Sequence, residues 1–234
     1  MRYNSCKTIV LSYAAISLLA GCGGGGGGGK PPTVSTPAPI VLNHVLPAGD
    51  TFSTAGVPWD IIGVQTTMFE SAQNPSPNTY DSLQVSVTFS QDVSSALPAP
   101  GASLTLGSQL GVGVIINTAP ATSLSTAPYD CAIQNNANFN YGSYAASRLS
   151  DGNFAILDSG GSPVNQQNNP TTEAQTIVAG NTMSETFRLG VLGLPESGVA
   201  PLLGVAVNSA NGISNNNFGK TDCAPRTAEF YLTK

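Results

Sequence analysis

The strongest constraint on how this chain folds is a strict two-residue alternation in "LQVSVTFS", Leu83 to Ser90. Leu83, Val85, Val87 and Phe89 fall on one side of an extended backbone, and Gln84, Ser86, Thr88 and Ser90 on the other. A helix would distribute those apolar side chains around its circumference, whereas a strand gathers them on one face, so the stretch predicts a half-buried β-strand. The same period recurs in "LGVGVIINT" (Leu110, Val112, Val114, Ile116) and in "LLGVAVNS" (Leu203, Val205, Val207). There the opposite face carries Gly111, Gly113, Gly204 and Ala206, which leaves room for close approach of another layer or a ligand.

Weaker alternation in "DIIGVQTTMF", "NFAILD", "QTIVA", "TMSETFRL" and "AEFYLTK" marks further strands. Turn signals punctuate them: Asp151-Gly152, the Gly160-Gly161 and Pro163 cluster, Gly180-Asn181 and Asn211-Gly212. Charged residues make up only 9% of the chain, so solvent-facing surface must be built from Asn, Ser, Thr and Gln; long exposed helices favour Glu, Lys and Arg instead. The expected fold is all-β, an antiparallel β-sandwich of about eight short strands after a disordered N-terminal tether.

The first forty residues have a different character. Arg2 and Lys7 precede "TIVLSYAAISLLAG", Thr8 to Gly21, which carries no charge. This apolar run suits an export signal, whose core needs about 7–15 residues, and is shorter than the roughly 18 that cross a bilayer. Its end, Leu19-Ala20-Gly21-Cys22, resembles the lipobox of bacterial lipoproteins at all four positions. The resemblance implies cleavage before Cys22, acylation of its thiol, and a membrane partner held through that lipid. Each buried methylene contributes about 0.8 kcal/mol, so several acyl chains anchor stably where one does not. Gly23 stands where this family carries aspartate for inner-membrane retention, which implies a cell-envelope location at the outer membrane where the organism has one.

Gly23 to Gly29 are seven consecutive glycines, a coil of about 15 Å root-mean-square span, and Lys30 to Pro39 with four prolines adds up to about 30 Å if extended. The domain expectation is therefore a signal over 1–21, a lipidated tether over 22–39, and one sandwich domain over 40–234. Loss of Arg2 and Lys7 with the signal leaves six basic residues against thirteen acidic ones. A net charge of minus seven makes nucleic acid a poor partner. With Cys6 in the signal and Cys22 lipidated, Cys131 and Cys223 are the two thiols left in an oxidising compartment, and a disulfide between them is expected. It closes a loop of about 93 residues, for which chain entropy gives on the order of 4–5 kcal/mol.

Few residues offer catalytic chemistry. His44 is the only histidine, in "VLNHVLP", and no G-x-S-x-G, H-E-x-x-H, Walker or dinucleotide-binding pattern accompanies it. His44 therefore reads as a strand or loop residue. No catalytic residue, cofactor or metal ligand is assigned: Asp50, Asp60, Asp81 and Asp92 are the carboxylates available to calcium, but no D-x-D-x-D-G run orders them. "YDCAIQNNANFNYGSY", residues 129–144, sets Tyr129, Tyr141 and Tyr144 among asparagines, and aromatic faces beside amides suit sugars and peptide surfaces. Those three tyrosines are the candidate ligand-binding residues, on a loop pinned by Cys131, with a glycan or envelope protein as ligand.

"AGDTF", "VPWDIIGVQTTMF", "DSLQVSVTF", "ETFRLGVLGL" and "GVAPLLGVAVN" together are similar in layout to bacterial extracellular β-sandwiches of the DOMON and family 9 carbohydrate-binding type. The resemblance implies a sandwich acting as a binding module. No haem ligand pair or sugar-clamping aromatic pair of those families maps onto positions of this chain. The functional expectation is a lipid-anchored envelope protein carrying a binding or structural module. The alternative is a carboxylate-dependent carbohydrate-active hydrolase, which needs one acid and one base or nucleophile across a sugar ring.

Overall fold

The chain divides into Met1–Thr33 and Val34–Lys234. A computed structural model describes residues 35–49, 59–74, 76–97, 99–101, 110–118, 141–148, 154–158, 174–214, 217–225 and 231–233, all in the second unit. Cys22 and the tether residues up to 34, Asp50, Tyr129 and Cys131 lie outside the described residues.

Eleven strands are described: β1 (Ile40–Val45), β2 (Ile61–Phe69), β3 (Ser82–Phe89), β4 (Leu110–Asn117), β5 (Tyr141–Arg148), β6 (Phe154–Asp158), β7 (Ala174–Ala179), β8 (Thr182–Arg188), β9 (Gly204–Ser214), β10 (Asn217–Ala224) and β11 (Tyr231–Leu232). They form two antiparallel sheets. The first has the order β1-β2-β3-β8-β7. The second runs β10-β9-β4-β5-β6, with β11 also paired to β9. A 3-10 turn, Leu189–Leu192, follows β8.

The alternation read in β3 becomes the inner face of the first sheet. Leu83, Val85, Val87 and Phe89 are completely buried, and register places them beside Val64 and Met68 of β2 and Met183 and Phe187 of β8. These side chains join Leu110, Val112, Val114 and Ile116 of β4, Val205 and Val207 of β9 and Ile156 of β6 in one apolar cluster between the sheets. Fully burying a side chain such as Phe89 or Ile116 contributes about 1.5–3 kcal/mol, and this shared layer is what makes two sheets one sandwich.

The outer face of the first sheet is polar and uncharged across its central rows. Asn43, Gln65, Ser86 and Ser184 lie in register, and so do Thr67, Gln84 and Thr186. Hydrogen bonds run along the rows: Gln65 Nε2 donates to Asn43 Oδ1 at 2.6 Å, the Ser86 and Ser184 hydroxyls meet at 2.7 Å, and Gln84 Nε2 donates to Thr186 Oγ1 at 3.2 Å. This is how a sheet with few charges satisfies its solvent side.

The second sheet differs. Every residue of β4 is buried, on both faces. Ile115 and Ala206, opposite each other in register, are as inaccessible as the core yet stand outside the apolar cluster between the sheets. Gly111, Gly113, Gly204 and Ala206 thus lie on a side of β4 and β9 that is buried although it faces away from the first sheet.

Two local expectations are corrected. Asn211-Gly212 is not a turn; it lies within β9, and the chain reverses between Ser214 and Asn217. The register jumps from Phe218↔Ile213 to Lys220↔Ala210, so β9 carries an extra residue there, and Asn211-Gly212 forms a bulge rather than a reversal. Tyr141 and Tyr144 are not on a loop but in β5. By contrast Gly180-Asn181 does turn the β7–β8 hairpin, with Gly180 at a φ of 59° that suits its missing Cβ.

The sheets are clasped where β2 begins. Ile61 N–H donates to Asp222 Oδ2 of β10 at 2.7 Å, and Ser209 Oγ of β9 donates to the Trp59 carbonyl at 2.5 Å. Asp222 also accepts from Cys223 N–H at 2.8 Å. Asp222→Ala is expected to strand two buried N–H donors, each costing on the order of 1–3 kcal/mol. Chemical denaturation should show that loss with the sandwich's far-ultraviolet spectrum intact; a loss below about 0.5 kcal/mol would show that the clasp does not couple the sheets.

Candidate functional site

The aspartates that the sequence offers for chemistry are, where described, committed to holding the chain together. Asp81, completely buried just before β3, accepts from Ser71 N–H at 2.7 Å, from Ser71 Oγ at 2.6 Å and from Arg188 Nη1 at 2.5 Å. Arg188, the last residue of β8, also donates to Ser71 Oγ at 2.7 Å and reaches Glu196 at 3.3 Å. An unpaired charge in this position would cost several kcal/mol, and the guanidinium fork compensates it while tying the β2–β3 connection to β8. The Asp81 carbonyl accepts from Leu189 N–H at 2.8 Å, which fixes the 3-10 turn to the same corner.

Asp60 accepts from Gly49 N–H at 2.7 Å, bringing the end of the β1 segment back onto the start of β2. Exposed Asp92 accepts from Ser94 N–H at 2.7 Å, and that bond lowers its carboxyl below the usual aspartate range. Asp60, Asp81 and Asp92, the described carboxylates among the four available to calcium, thus hold three separate parts of the chain. Among the described residues no group of three or more His, Cys, Asp and Glu side chains is arranged to hold a metal ion.

Glu185 is a buried acid that sequence reasoning missed. It lies in β8 between Met183 and Phe187, opposite Val85 and Thr176. The signal is present in "TMSETFR", where Glu185 shares the phase of Met183 and Phe187, but an acidic residue in an apolar phase is usually read as a break in the pattern.

His44 is placed in β1, on the side that faces the second sheet. Its ring stacks on Tyr231 of β11 with centroids 3.8 Å apart and planes inclined by 10°. One edge of the first sheet is thereby closed against the second by an aromatic pair. Its Nε2 has no hydrogen-bond partner among the described residues.

Of the candidate ligand-binding tyrosines, Tyr141 and Tyr144 are brought together in β5, and Tyr129 is outside the described residues. Tyr141 pairs with Ile116, a core position of β4, while Tyr144 pairs with Gly113, a position on the opposite side. Cross-strand partners share a face, so the two positions belong to different sides of the sheet. Cys223, buried in β10, is disulfide-bonded.

Burial lowers the His44 pKa below its ordinary value. The unfolded chain therefore binds a proton below about pH 6.5 before the folded chain does. The stabilisation from neutral His44 is complete above that value and is lost as pH falls through the folded pKa. His44→Gln cannot titrate, so the stability gap between wild type and variant should shrink between about pH 7.5 and pH 5. A gap independent of pH would remove His44 as a source of acid sensitivity.

No protein-family model matches the chain, and no curated protein and no solved structure matches it significantly.

Proposed function

We propose that this protein is a lipoprotein of the bacterial cell envelope, whose β-sandwich is a binding or structural module held off the membrane by a glycine- and proline-rich tether. The observation that carries the reading is Leu19-Ala20-Gly21-Cys22 at the end of an uncharged apolar run, followed at once by seven glycines. A thiol at that position gains from acylation, and a coil directly after it separates the sandwich from the headgroups. The low charge and polar, uncharged outer face of the first sheet suit a domain that works beside other envelope components without attracting polyanions.

Cys131 is the partner proposed for Cys223, the disulfide suiting an oxidising compartment. For ligand contact the proposal rests on Tyr144, with Tyr129 and Tyr141 as its sequence neighbours, and on an uncharged ligand such as an envelope glycan or protein surface.

Cys22→Ser should leave a full-length precursor that incorporates no labelled fatty acid. Normal processing and membrane retention in that variant would reject the anchor. For ligand contact, Tyr144→Ala is expected to weaken retention on purified envelope glycan or on a co-purifying envelope protein, with the melting temperature nearly unchanged. A stability loss of about 3–5 kcal/mol would instead assign Tyr144 to packing.

A further inference from the structure

β1 is an edge strand, and its hydrogen-bonding phase shows which backbone groups face outward. Leu46 N–H donates to the Ile62 carbonyl at 3.0 Å, continuing the register Ile40↔Met68 to Val45↔Gly63. In an antiparallel ladder, residues that bond the partner strand alternate with residues whose N–H and C=O point the other way. Ile40, Leu42, His44 and Leu46 therefore bond β2, and Val41, Asn43 and Val45 offer their backbone groups to the free edge. Among the described residues no strand pairs with that edge. Val45 is 90% exposed and Val41 46%.

Natural edges are usually protected by charge, proline or a bulge within the strand. β1 has none of these: it is "IVLNHV", uncharged, in continuous register. Its prolines stand outside, at Pro39 and Pro47, equally spaced from Asn43. The nine residues "PIVLNHVLP" are close to a palindrome about Asn43: Val41 mirrors Val45, Ile40 mirrors Leu46, Leu42 mirrors His44, and proline mirrors proline.

We propose that β1 pairs antiparallel with β1 of a second copy of this chain, about a two-fold axis through Asn43, joining two five-stranded sheets into one continuous sheet. Val41 then faces Val45 of the second copy, Asn43 faces Asn43, and all three outward positions on each copy exchange N–H and C=O. The complementarity is of the strand with itself: apolar meets apolar, amide meets amide, and no like charges are opposed. Pro39 and Pro47 have the same outward phase but no N–H, so the ladder ends at both sides where the palindrome ends. A foreign strand would match this pattern only by having it too.

The register gives a direct test in the full-length chain, made with Cys6→Ser and Cys22→Ser so that no thiol of the signal or tether adds a cross-link of its own. Opposed residues of a hydrogen-bonded antiparallel pair have Cα atoms about 5.5 Å apart, within disulfide reach. Asn43→Cys should therefore give a disulfide-linked homodimer on mild oxidation. Val45→Cys should not, because its counterpart in the second copy lies four residues along the strand, roughly 13 Å away. Differently tagged Val41→Cys and Val45→Cys chains, expressed together, should cross-link to each other. Asn43→Lys sets two ammonium groups face to face at the axis and should weaken dimerisation by about two- to fivefold. Equal cross-linking of Asn43→Cys and Val45→Cys, cross-linking of neither, capture of a different protein by the Asn43→Cys chain, or an unchanged dimer fraction in Asn43→Lys would each overturn the proposal.

Discussion

Two polar contacts, Ile61 N–H to the Asp222 carboxylate and the Ser209 hydroxyl to the Trp59 carbonyl, fix how the sheets of this sandwich meet. Apolar burial brings two sheets together without specifying their rotation or offset, because dispersion and the hydrophobic effect have little direction. Hydrogen bonds to a buried carboxylate do have direction, and leaving them unmade is costly. The partners lie 161 and 150 residues apart in sequence, so both contacts wait on the long-range closure of the fold. Once they are joined, β2 is held against β10 and β9, the alternating faces of β3 and β8 follow β2 through register, and one core closes.

A chain with so few charges uses several of them inside. Asp81, Asp222 and Glu185 are buried, and Arg188 bridges Asp81, Ser71 and Glu196. Meanwhile the outer face of the first sheet is satisfied by neutral side chains bonded in rows. On that face, with no charged side chain in its central rows, short-range complementarity governs association. The exposed edge of β1, neutral and close to palindromic, belongs to the same logic.

The strands with regular alternation are legible in the sequence because a half-buried sheet imposes a period of two on any segment that forms it. β3, β4 and β8 fall where "LQVSVTFS", "LGVGVIINT" and "TMSETFRL" place them, and Gly180-Asn181 turns the hairpin its composition suggests. β5 is not legible: "YGSYAASR" mixes small, aromatic and polar residues without a period, and it becomes a strand through pairing with β4 and β6. Asn211-Gly212 suggests a turn where there is none because the same dipeptide serves a tight turn and a bulge, and the difference lies in the register of a strand that follows it.

What the sequence determined by itself was the class of fold, the apolar faces of the best strands, and the expectation of an exported, lipid-anchored chain. These are local properties, written in periods of two or in four consecutive residues. Tertiary structure alone decided that Asp222 grips Ile61, that Asp81 needs Arg188, that His44 stacks on Tyr231, and that β4 is buried on both sides. It also decided that β1 lies at an edge, which turns a palindrome into a surface. Each of those facts depends on which distant segments meet, and sequence periodicity carries the face of a residue but not the identity of its neighbour across the core.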